Sequence, residues 1–330
     1  MDKVLVWGTG GAYAMYYHEM KAMEDAKKLC VLALVDKEAP SGKLEGYPVI
    51  TKEQICQYAF DKILIAAHGG GTKSILEDAK RLGITPDKMI SCDEYLKKYG
   101  DYETFYKEDI KIQTQVLKEI LAASDAEVCD YTWMYEKVCR YGIYCFQKGW
   151  RSQPEIRWTR RGMLQIAEEF ARFSCFISQL FIENAIEVGV FKGRSSYFIC
   201  ALLSRKNPAM KYVLVDIVDE LDSFECYREI LPALDKQIPS TSKDFSGQSY
   251  DFVFIDGDHS YEGVIEDWNN VGKYGKQMIV FHDIFAHEYD GENGGVVRAW
   301  KEIQESDKGM NNRIFSEYPD EWMGIGCVLQ

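Results

Sequence analysis

Apolar residues fall into two rhythms along this chain, short unbroken runs and helical spacings. The runs end on glycine or on acid. Residues 3–7 (KVLVW), 30–37 (CVLALVDK) and 62–68 (KILIAAH) read as buried strands. The first exits into Gly8-Thr9-Gly10-Gly11-Ala12-Tyr13 and a helix expected to about Lys28. The second carries Asp36 near its end, and the third meets Gly69-Gly70-Gly71 and a helix through Arg81. Strand–helix alternation with glycines at the strand exits predicts a doubly wound sheet over residues 1–96.

Residues 97–180 carry helical spacing instead, as in Ile112, Val116, Leu117, Ile120 and Leu121. Aromatic residues crowd this stretch at Tyr131, Trp133, Tyr135, Tyr141, Tyr144, Phe146, Trp150 and Trp158. Such a cluster lines an acceptor pocket or packs as inter-domain core. Arg157, Arg160 and Arg161 hold an anion or form a solvated helix face.

From residue 181 the strand rhythm returns. NAIEVGV (184–190) runs into Phe191-Lys192-Gly193-Arg194-Ser195-Ser196 and a helix through Leu203. KYVLVDI (211–217) follows, with Asp216 near its end, then a helix expected near 224–234. Tyr250 to Ile255 is a further strand that stops at Asp256-Gly257-Asp258-His259. Tyr261, Val264, Trp268 and Val271 then share one helical face. Another run, Met278 to Phe281, ends at His282-Asp283. Val296, Val297, Trp300 and Ile303 mark a helix, and 312–316 with 322–329 read as a closing hairpin. In a parallel sheet the two acidic turns would lie side by side at the carboxyl edge, where open α/β sheets bind ligands. The expected fold class is α/β: two Rossmann-like doubly wound domains, at 1–96 and 181–330, joined by a helical segment over 97–180.

Length and composition narrow the function. The chain has 330 residues, enough for two domains, and its net charge of −13 speaks against a nucleic-acid partner. Met1-Asp2-Lys3 leads straight into a strand, so no leader peptide is expected, and no apolar run reaches the roughly 18 residues of a membrane helix. The ten cysteines show no CxxC or zinc spacing and suit small buried hydrophobes in a reducing cytosol. We therefore expect a cytoplasmic protein with a small-molecule partner, no nucleic acid, no membrane, and room for a homo-oligomer.

The first glycine turn departs from the dinucleotide fingerprint G-x-G-x-x-G, since Tyr13 stands where the third glycine would be. Asp36 falls where the ribose-binding acid would be. The turn is either a structural device or the mark of a nucleotide or nucleotide-sugar site. A dehydrogenase reading lacks a catalytic set within 1–96. Residues 1 to about 96 resemble the small Rossmann-like domains attached to bacterial sugar-modifying transferases.

The second half carries a more specific resemblance. EVGVFKGRSS (187–196) resembles the first motif of class I S-adenosylmethionine-dependent methyltransferases, and Asp216 matches their ribose-binding acid. FIDGDHSYEGVIEDW (254–268) with IVFHDI (279–284) resembles the family of macrocin O-methyltransferase and the cephamycin-pathway methyltransferase. The resemblance covers about 180–310 and implies a mixed seven-stranded sheet with helices on both sides. It implies S-adenosylmethionine held by Glu187, Gly189, Phe191, Gly193, Ser195, Ser196, Asp216, Asp256 and His259. Gly189 and Gly193 would let the backbone approach the cofactor, and Glu187 would anchor its ammonium directly or through water. Asp216 would accept from both ribose hydroxyls.

The third strand is hard to find, and 236–247 (KQIPSTSKDFSG) must supply the adenine wall, with Ser242 and Asp244 as candidates. A divalent metal, Mg²⁺ or Mn²⁺, would sit on Asp256, His282 and Asp283. Relatives often carry an acid at the position of His282, and a histidine there suits Mn²⁺, Fe²⁺ or Zn²⁺ better than Mg²⁺. Asp256 and His259 are the candidate catalytic pair. The offset of His259 carries the catalytic lysine in catechol O-methyltransferase-like enzymes and a histidine in sugar O-methyltransferases. His259 would take the acceptor proton or ligate the metal. Asp258 is expected to cap the following helix and Asp267 to lie on its surface. His287, Glu288 and Asp290 fall in a Gly-rich stretch that reads as a lid or a loop.

These residues point to an O-methyltransferase acting on a sugar, a nucleotide sugar or another small hydroxylated metabolite. The alternative is a non-catalytic nucleotide-binding protein with a decayed methyltransferase site.

Overall fold

A computed structural model describes residues 1–37, 42–144, 153–306 and 311–330. The chain divides into two compact units, Met1–Asp109 with Tyr144–Gly162, and Ile110–Ile143 with Met163–Gln330. The helical stretch expected over 97–180 is thus shared between them. Phe146 and Trp150 lie outside the described residues.

The first unit opens with strand β1 (Asp2–Trp7), helix α1 (Gly11–Asp25) and strand β2 (Leu29–Val35). Two short strands follow, β3 (Lys43–Leu44) and β4 (Tyr47–Ile50). Strand β5 (Lys62–Ile65), helix α2 (Gly69–Arg81), strand β6 (Met89–Ser91) and helix α3 (Cys92–Tyr99) complete the alternation. The boundary between the units falls within helix α4 (Tyr102–Ala122). The six strands order as β3-β4-β2-β1-β5-β6, all parallel except the β3–β4 pair. Leu5, Trp7, Ala33, Val35, Ile63 and Ile65 form the core, as their unbroken apolar runs require. The chain leaves β1 toward β2 on one side and returns to β5 on the other, so the strand order reverses between β1 and β5.

The basic run departs from expectation. Arg157, Arg160 and Arg161 lie outside any helix and are not a solvated face. Arg160 is 8% exposed at its side chain and pairs with Glu19 at 2.9 Å and with Asp93. Arg161 binds Asp109 at 2.8 Å, and Arg157 pairs with the same carboxylate. These guanidiniums are spent on internal acids of their own unit, which leaves the anion-holding reading without support.

The second unit begins with helices α5 (Asp125–Cys129), α6 (Tyr131–Tyr141) and α7 (Ala167–Ile177). Then come strand β7 (Asn184–Val188), helix α8 (Arg194–Lys206), strand β8 (Lys211–Val215), short helix α9 (Phe224–Arg228) and strand β9 (Leu234–Gln237). Strand β10 (Phe252–Ile255), helix α10 (Tyr261–Asn270), strand β11 (Met278–His282) and helix α11 (Gly295–Ser306) follow. Strands β12 (Asn311–Phe315) and β13 (Ile325–Leu329) form the expected hairpin. The sheet is mixed and seven-stranded, in the order β12-β13-β11-β10-β7-β8-β9, with β13 antiparallel to β11. Its strand order reverses between β7 and β10. Val188, Val215, Val253, Ile255, Ile279 and Phe281 lie in its core.

Among the described residues the cysteines are free and no helix is long and apolar enough to cross a membrane. Cys92, Cys139, Cys200 and Cys327 are buried, whereas Cys30 is only half-buried and Cys56, Cys129 and Cys226 are exposed.

Candidate active site

The turn after β7 is built by glycines that the fold demands. Gly189 has φ +85°, and a Cβ there would fall 2.2 Å from the Asp256 carbonyl oxygen. The β7 and β10 exits therefore press backbone on backbone. Gly193 caps α8 in the left-handed region, and a Cβ there would strike the Tyr197 ring at 2.6 Å. Between them Phe191 holds φ +46° with its ring exposed. A non-glycine residue in that region is strained and persists only where its surroundings hold it. Here Asp216 does so: its Oδ2 accepts from the Val190 and Phe191 amides at 3.0 and 2.9 Å. Its Oδ1 accepts from the Val218 amide at 3.3 Å. Asp216 thus shapes the turn.

Two other residues of this motif lie deeper. Glu187 has no exposed surface, and its Oε2 accepts from the Tyr212 hydroxyl at 2.7 Å. Burial pushes its carboxyl up to about 8. Ser196 is equally buried, while Ser195 is half-buried. A direct salt bridge from Glu187 to a ligand needs this turn to open; a contact relayed by water needs less.

Four side chains converge at the adjacent strand exits. Ile255 pairs with Phe281 in the β10–β11 register, so Asp256 and His282 leave neighbouring strands at one level. Asp283 has φ +59°, a second strained non-glycine position. His259 Nε2 lies 3.3 Å from Asp256 Oδ1 and 3.5 Å from Asp283 Oδ2. His282 Nδ1 lies 3.3 Å from Asp256 Oδ1 and 3.4 Å from Asp283 Oδ1. Two carboxylates and two imidazoles therefore alternate around one point.

The electrostatics follow from that ring of contacts. Burial would raise the Asp256 carboxyl, but His282 and His259 outweigh it and hold the group down to about 2. Burial opposes the charge on both imidazoles, yet the facing carboxylates raise His259 and raise His282 far more. Asp256, His259 and Asp283 offer ligand atoms that all lie within 4.8 Å of one another, close enough to share one cation. His282 Nδ1 adjoins the same two carboxylates. A donor set mixing carboxylate and imidazole suits Mn²⁺ or Zn²⁺ better than Mg²⁺.

Three neighbours were not legible in the sequence. Gln165, 2% exposed, meets His282 Nε2 with its Oε1 at 2.9 Å. With that oxygen accepting, Nε2 carries an N–H; in the charged form that the carboxylates favour, Nδ1 carries one too, turned toward them. Tyr289 lays its ring 4.6 Å from that of His259. Asp267 was expected on the surface but is 8% exposed, and burial lifts its carboxyl to about 6. A Cβ on Gly257 would lie 3.3 Å from its Oδ2, so it underlies the β10 turn.

Other expectations change. Ser242 and Asp244, the adenine-wall candidates, are engaged locally. Ser242 is buried and its hydroxyl accepts from the Asn270 amide at 3.0 Å. Asp244 completes a capping box with Thr241. Helix α10 is capped by Ser260, not Asp258; the Asp258 carboxylate accepts from the Ser260 amide at 2.9 Å. His287 bonds Asp290 at 2.9 Å, an exposed pair in the 286–295 loop, and it is Tyr289 that turns toward the cluster.

The glycine turn and the four-residue cluster both fall within the part of the second unit that matches a methyltransferase domain. Residues 186–284 match the model of a methyltransferase domain family, and residues 1–90 match that of the C2185-like N-terminal family. Several solved structures are similar to part of the chain. Cofactor-bound Rv0187 from MTB is 15% identical, with 51% of this chain and 82% of that one covered at a TM-score of 0.40. The O-methyltransferase TomG from Streptomyces achromogenes, in complex with SAM, is 13% identical over 51% and 82%, at 0.41. The O-methyltransferase from Bacillus cereus, in complex with SAH, is 14% identical over 47% and 77%, at 0.37. No curated protein matches the chain.

Proposed function

We propose that this protein transfers the methyl group of S-adenosylmethionine to a hydroxyl oxygen of a small acceptor, a sugar or nucleotide sugar or another hydroxylated metabolite, with a divalent metal assisting. The observation that carries the reading is the convergence of Asp256, His259, His282 and Asp283 beside the glycine turn 189–193. A decayed site has no reason to keep two carboxylates and two imidazoles in mutual contact next to a cofactor-type turn.

The chemistry asks little of the protein beyond position and a proton acceptor. The sulfonium methyl carbon is already electrophilic, so the acceptor oxygen must be held in line with the carbon–sulfur bond. The oxygen–carbon bond forms as the carbon–sulfur bond breaks, and its electron pair stays on sulfur. The hydroxyl proton passes to neutral His259, which Asp256 and Asp283 orient and whose charge they then stabilise. A bound Mg²⁺ or Mn²⁺ would lower the hydroxyl pKa and orient it. Asp256, His282 and Asp283 are the residues to hold it. Asp216, which already fixes the turn, would accept from the ribose hydroxyls.

Calorimetric titration of S-adenosylmethionine, with and without Mg²⁺ or Mn²⁺, tests the reading on the parent chain and on Asp216→Ala. Binding by the parent that weakens roughly 10- to 100-fold in the variant is the expected result, as for loss of a charged hydrogen-bond acceptor. Absence of binding under every metal condition would sink it.

A further inference from the structure

The two histidines of the cluster are held differently. His282 is buried, and its Nε2 has a directed partner in Gln165 at 2.9 Å. His259 is held at one nitrogen: Nε2 lies 3.3 Å from Asp256 and 3.5 Å from Asp283, and neither contact is short. Its side chain is 21% exposed. The outer torsion of a histidine is broad, so two long contacts at one atom leave the ring able to pivot. A neighbour packed on the ring removes that freedom. Tyr289 is that neighbour, with ring centroids 4.6 Å apart and planes inclined at 59°. Among the described residues the Tyr289 hydroxyl makes no hydrogen bond, so what it brings to His259 is its ring.

The stretch that carries Tyr289 is built to keep it there. It is tied to the end of β11: the Ala286 amide donates to the Asp283 carbonyl at 2.9 Å, and the Tyr289 amide to the Ala286 carbonyl at 3.2 Å. The Tyr289 carbonyl in turn accepts from the Glu292 amide at 2.8 Å. Three successive residues, Asn293, Gly294 and Gly295, then hold positive φ of +55°, +89° and +53°. A Cβ on Gly295 would fall 2.7 Å from the Tyr289 carbonyl oxygen and 2.8 Å from the Tyr289 Cβ. Glycine is needed at 295 because of where Tyr289 sits.

The same stretch is pinned to the helix that follows His259. The Tyr261 amide, at the start of α10, donates to the Glu292 carbonyl at 3.2 Å. Asn293 donates through Nδ2 to Glu262 at 2.8 Å and accepts at Oδ1 from Arg298 at 2.8 Å. A left-handed non-glycine residue persists where its surroundings hold it, and these two partners hold Asn293. The turn that carries His259 and the stretch that carries Tyr289 are therefore linked beyond the ring contact itself. Both the strain and the cross-links fix the distance between the two rings.

We infer that Tyr289 is a positioning residue for methyl transfer, whose ring holds the His259 imidazole in the one orientation that keeps Nε2 against Asp256 and Asp283. This rests on the proposed role of His259 as the proton acceptor. A reacting group displaced by about 1 Å can cost about 100-fold in rate, so a base free to pivot is a poor one.

The test is nuclear magnetic resonance on the full chain with isotope-labelled histidine, saturated with S-adenosylhomocysteine. The chain has five histidines, and the signal missing from His259→Gln identifies this one. The readout is the order parameter of the His259 ring, on a scale where about 0.85 is rigid and below about 0.6 is flexible. The parent and Tyr289→Phe, which keeps the ring, should both read rigid. Tyr289→Leu and Tyr289→Ala should fall below about 0.6. Tyr289 also packs against the core of the second unit, and leucine keeps apolar volume there, so Tyr289→Leu decides if the alanine variant does not fold. The His282 ring, held by Gln165, should stay rigid throughout. A rigid His259 in Tyr289→Leu would overturn the inference, as would a flexible one in the parent or in Tyr289→Phe. Loosening of both rings together would mark a merely structural role and overturn it too. Failure of the parent to bind S-adenosylhomocysteine, read by calorimetry, would instead overturn the methyl-transfer reading and take the role of Tyr289 with it.

Discussion

The two units solve one geometric problem with the same parts and then diverge. In each, a parallel strand exits through a glycine turn, and an acid beyond the next strand ties that turn down. Asp36 accepts from Thr9 in the first unit, and Asp216 accepts from Val190 and Phe191 in the second. In each, the first glycine is forced by a backbone approach, Gly8 onto Ala66 and Gly189 onto Asp256. The divergence lies at the next strand exit of the reversed order. After β5 the first unit offers His68 and three glycines, whereas after β10 and β11 the second offers two carboxylates and two imidazoles. On the function proposed above, the shared turn would serve binding and the added cluster proton transfer. A Rossmann-like turn therefore says where a ligand sits, and the exits beside it say whether anything is done to it.

The largest expected effect separates these two roles. Asp256→Asn and Asp283→Asn should each lower methyl transfer by about 1,000-fold or more, because both remove charge that orients the base and the acceptor. Steady-state kinetics with an accepted substrate measures this. A cluster variant with near-parent activity would assign these residues to structure and remove the contrast.

Next in size is the distinction between forced and unforced glycines. Gly8→Ala and Gly189→Ala should each destabilise their unit by roughly 3–5 kcal/mol, since the added Cβ meets backbone in a left-handed conformation. Gly10→Ala, whose Cβ would meet nothing within 4 Å, should change stability by less than about 1 kcal/mol. Urea denaturation followed by circular dichroism reads both. Equal costs at Gly8 and Gly10 would mean that Gly10 is structural after all.

Much of this was visible in the sequence, for physical reasons that also explain the rest. Central strands such as KVLVW and FVFI are buried on both faces, so their apolar runs stand out. The acids at their exits stand out for the opposite reason. Strand β9 (LDKQ) sits at the sheet edge with Leu234 as its one buried apolar residue, so it carries no run to detect. Gln165 comes to His282 from 117 residues away, and no local pattern announces such a contact. Asp267 reads as surface because a helix normally exposes its acids; in the fold Gly257 and Ser242 come against it. The arginines at 157, 160 and 161 read as solvated because their partners, Glu19, Asp93 and Asp109, are distant in sequence.

A smaller effect concerns how His282 is held. Gln165→Leu removes the acceptor of its Nε2–H and keeps the volume. The ring is then free to change tautomer and to turn Nδ1 away from the carboxylates. Outer-shell partners of this kind are worth about 10- to 100-fold in metal affinity or activity. We expect Mn²⁺ affinity, measured by calorimetry, to fall within that range, and Gln165→Glu to restore much of it by offering an acceptor again. Unchanged affinity in Gln165→Leu would show that His282 is held by its carboxylates alone.

The smallest effect is a slope of stability with pH that the second unit should show. Three of its buried carboxyls are pushed up by burial: Asp267 to about 6, Glu169 to about 7 and Glu187 to about 8. The ordinary values are 3.8 for Asp and 4.5 for Glu. Between those values and the raised ones the folded state binds more protons than the unfolded state. Stability must then fall as pH rises through this window and level off above it. Glu187 dominates the upper part, from about pH 7 to 8. Glu187→Gln keeps the shape and the acceptor for Tyr212 but carries no proton to lose, so it should flatten the loss of melting temperature there. Thermal unfolding at steps from pH 5 to 8.5, on the parent and on Glu187→Gln, measures the difference. A parent whose stability rises across that range would mean that Glu187 is ionised in the fold, with a cation already beside it. The second unit's turn would then be built around a standing charge.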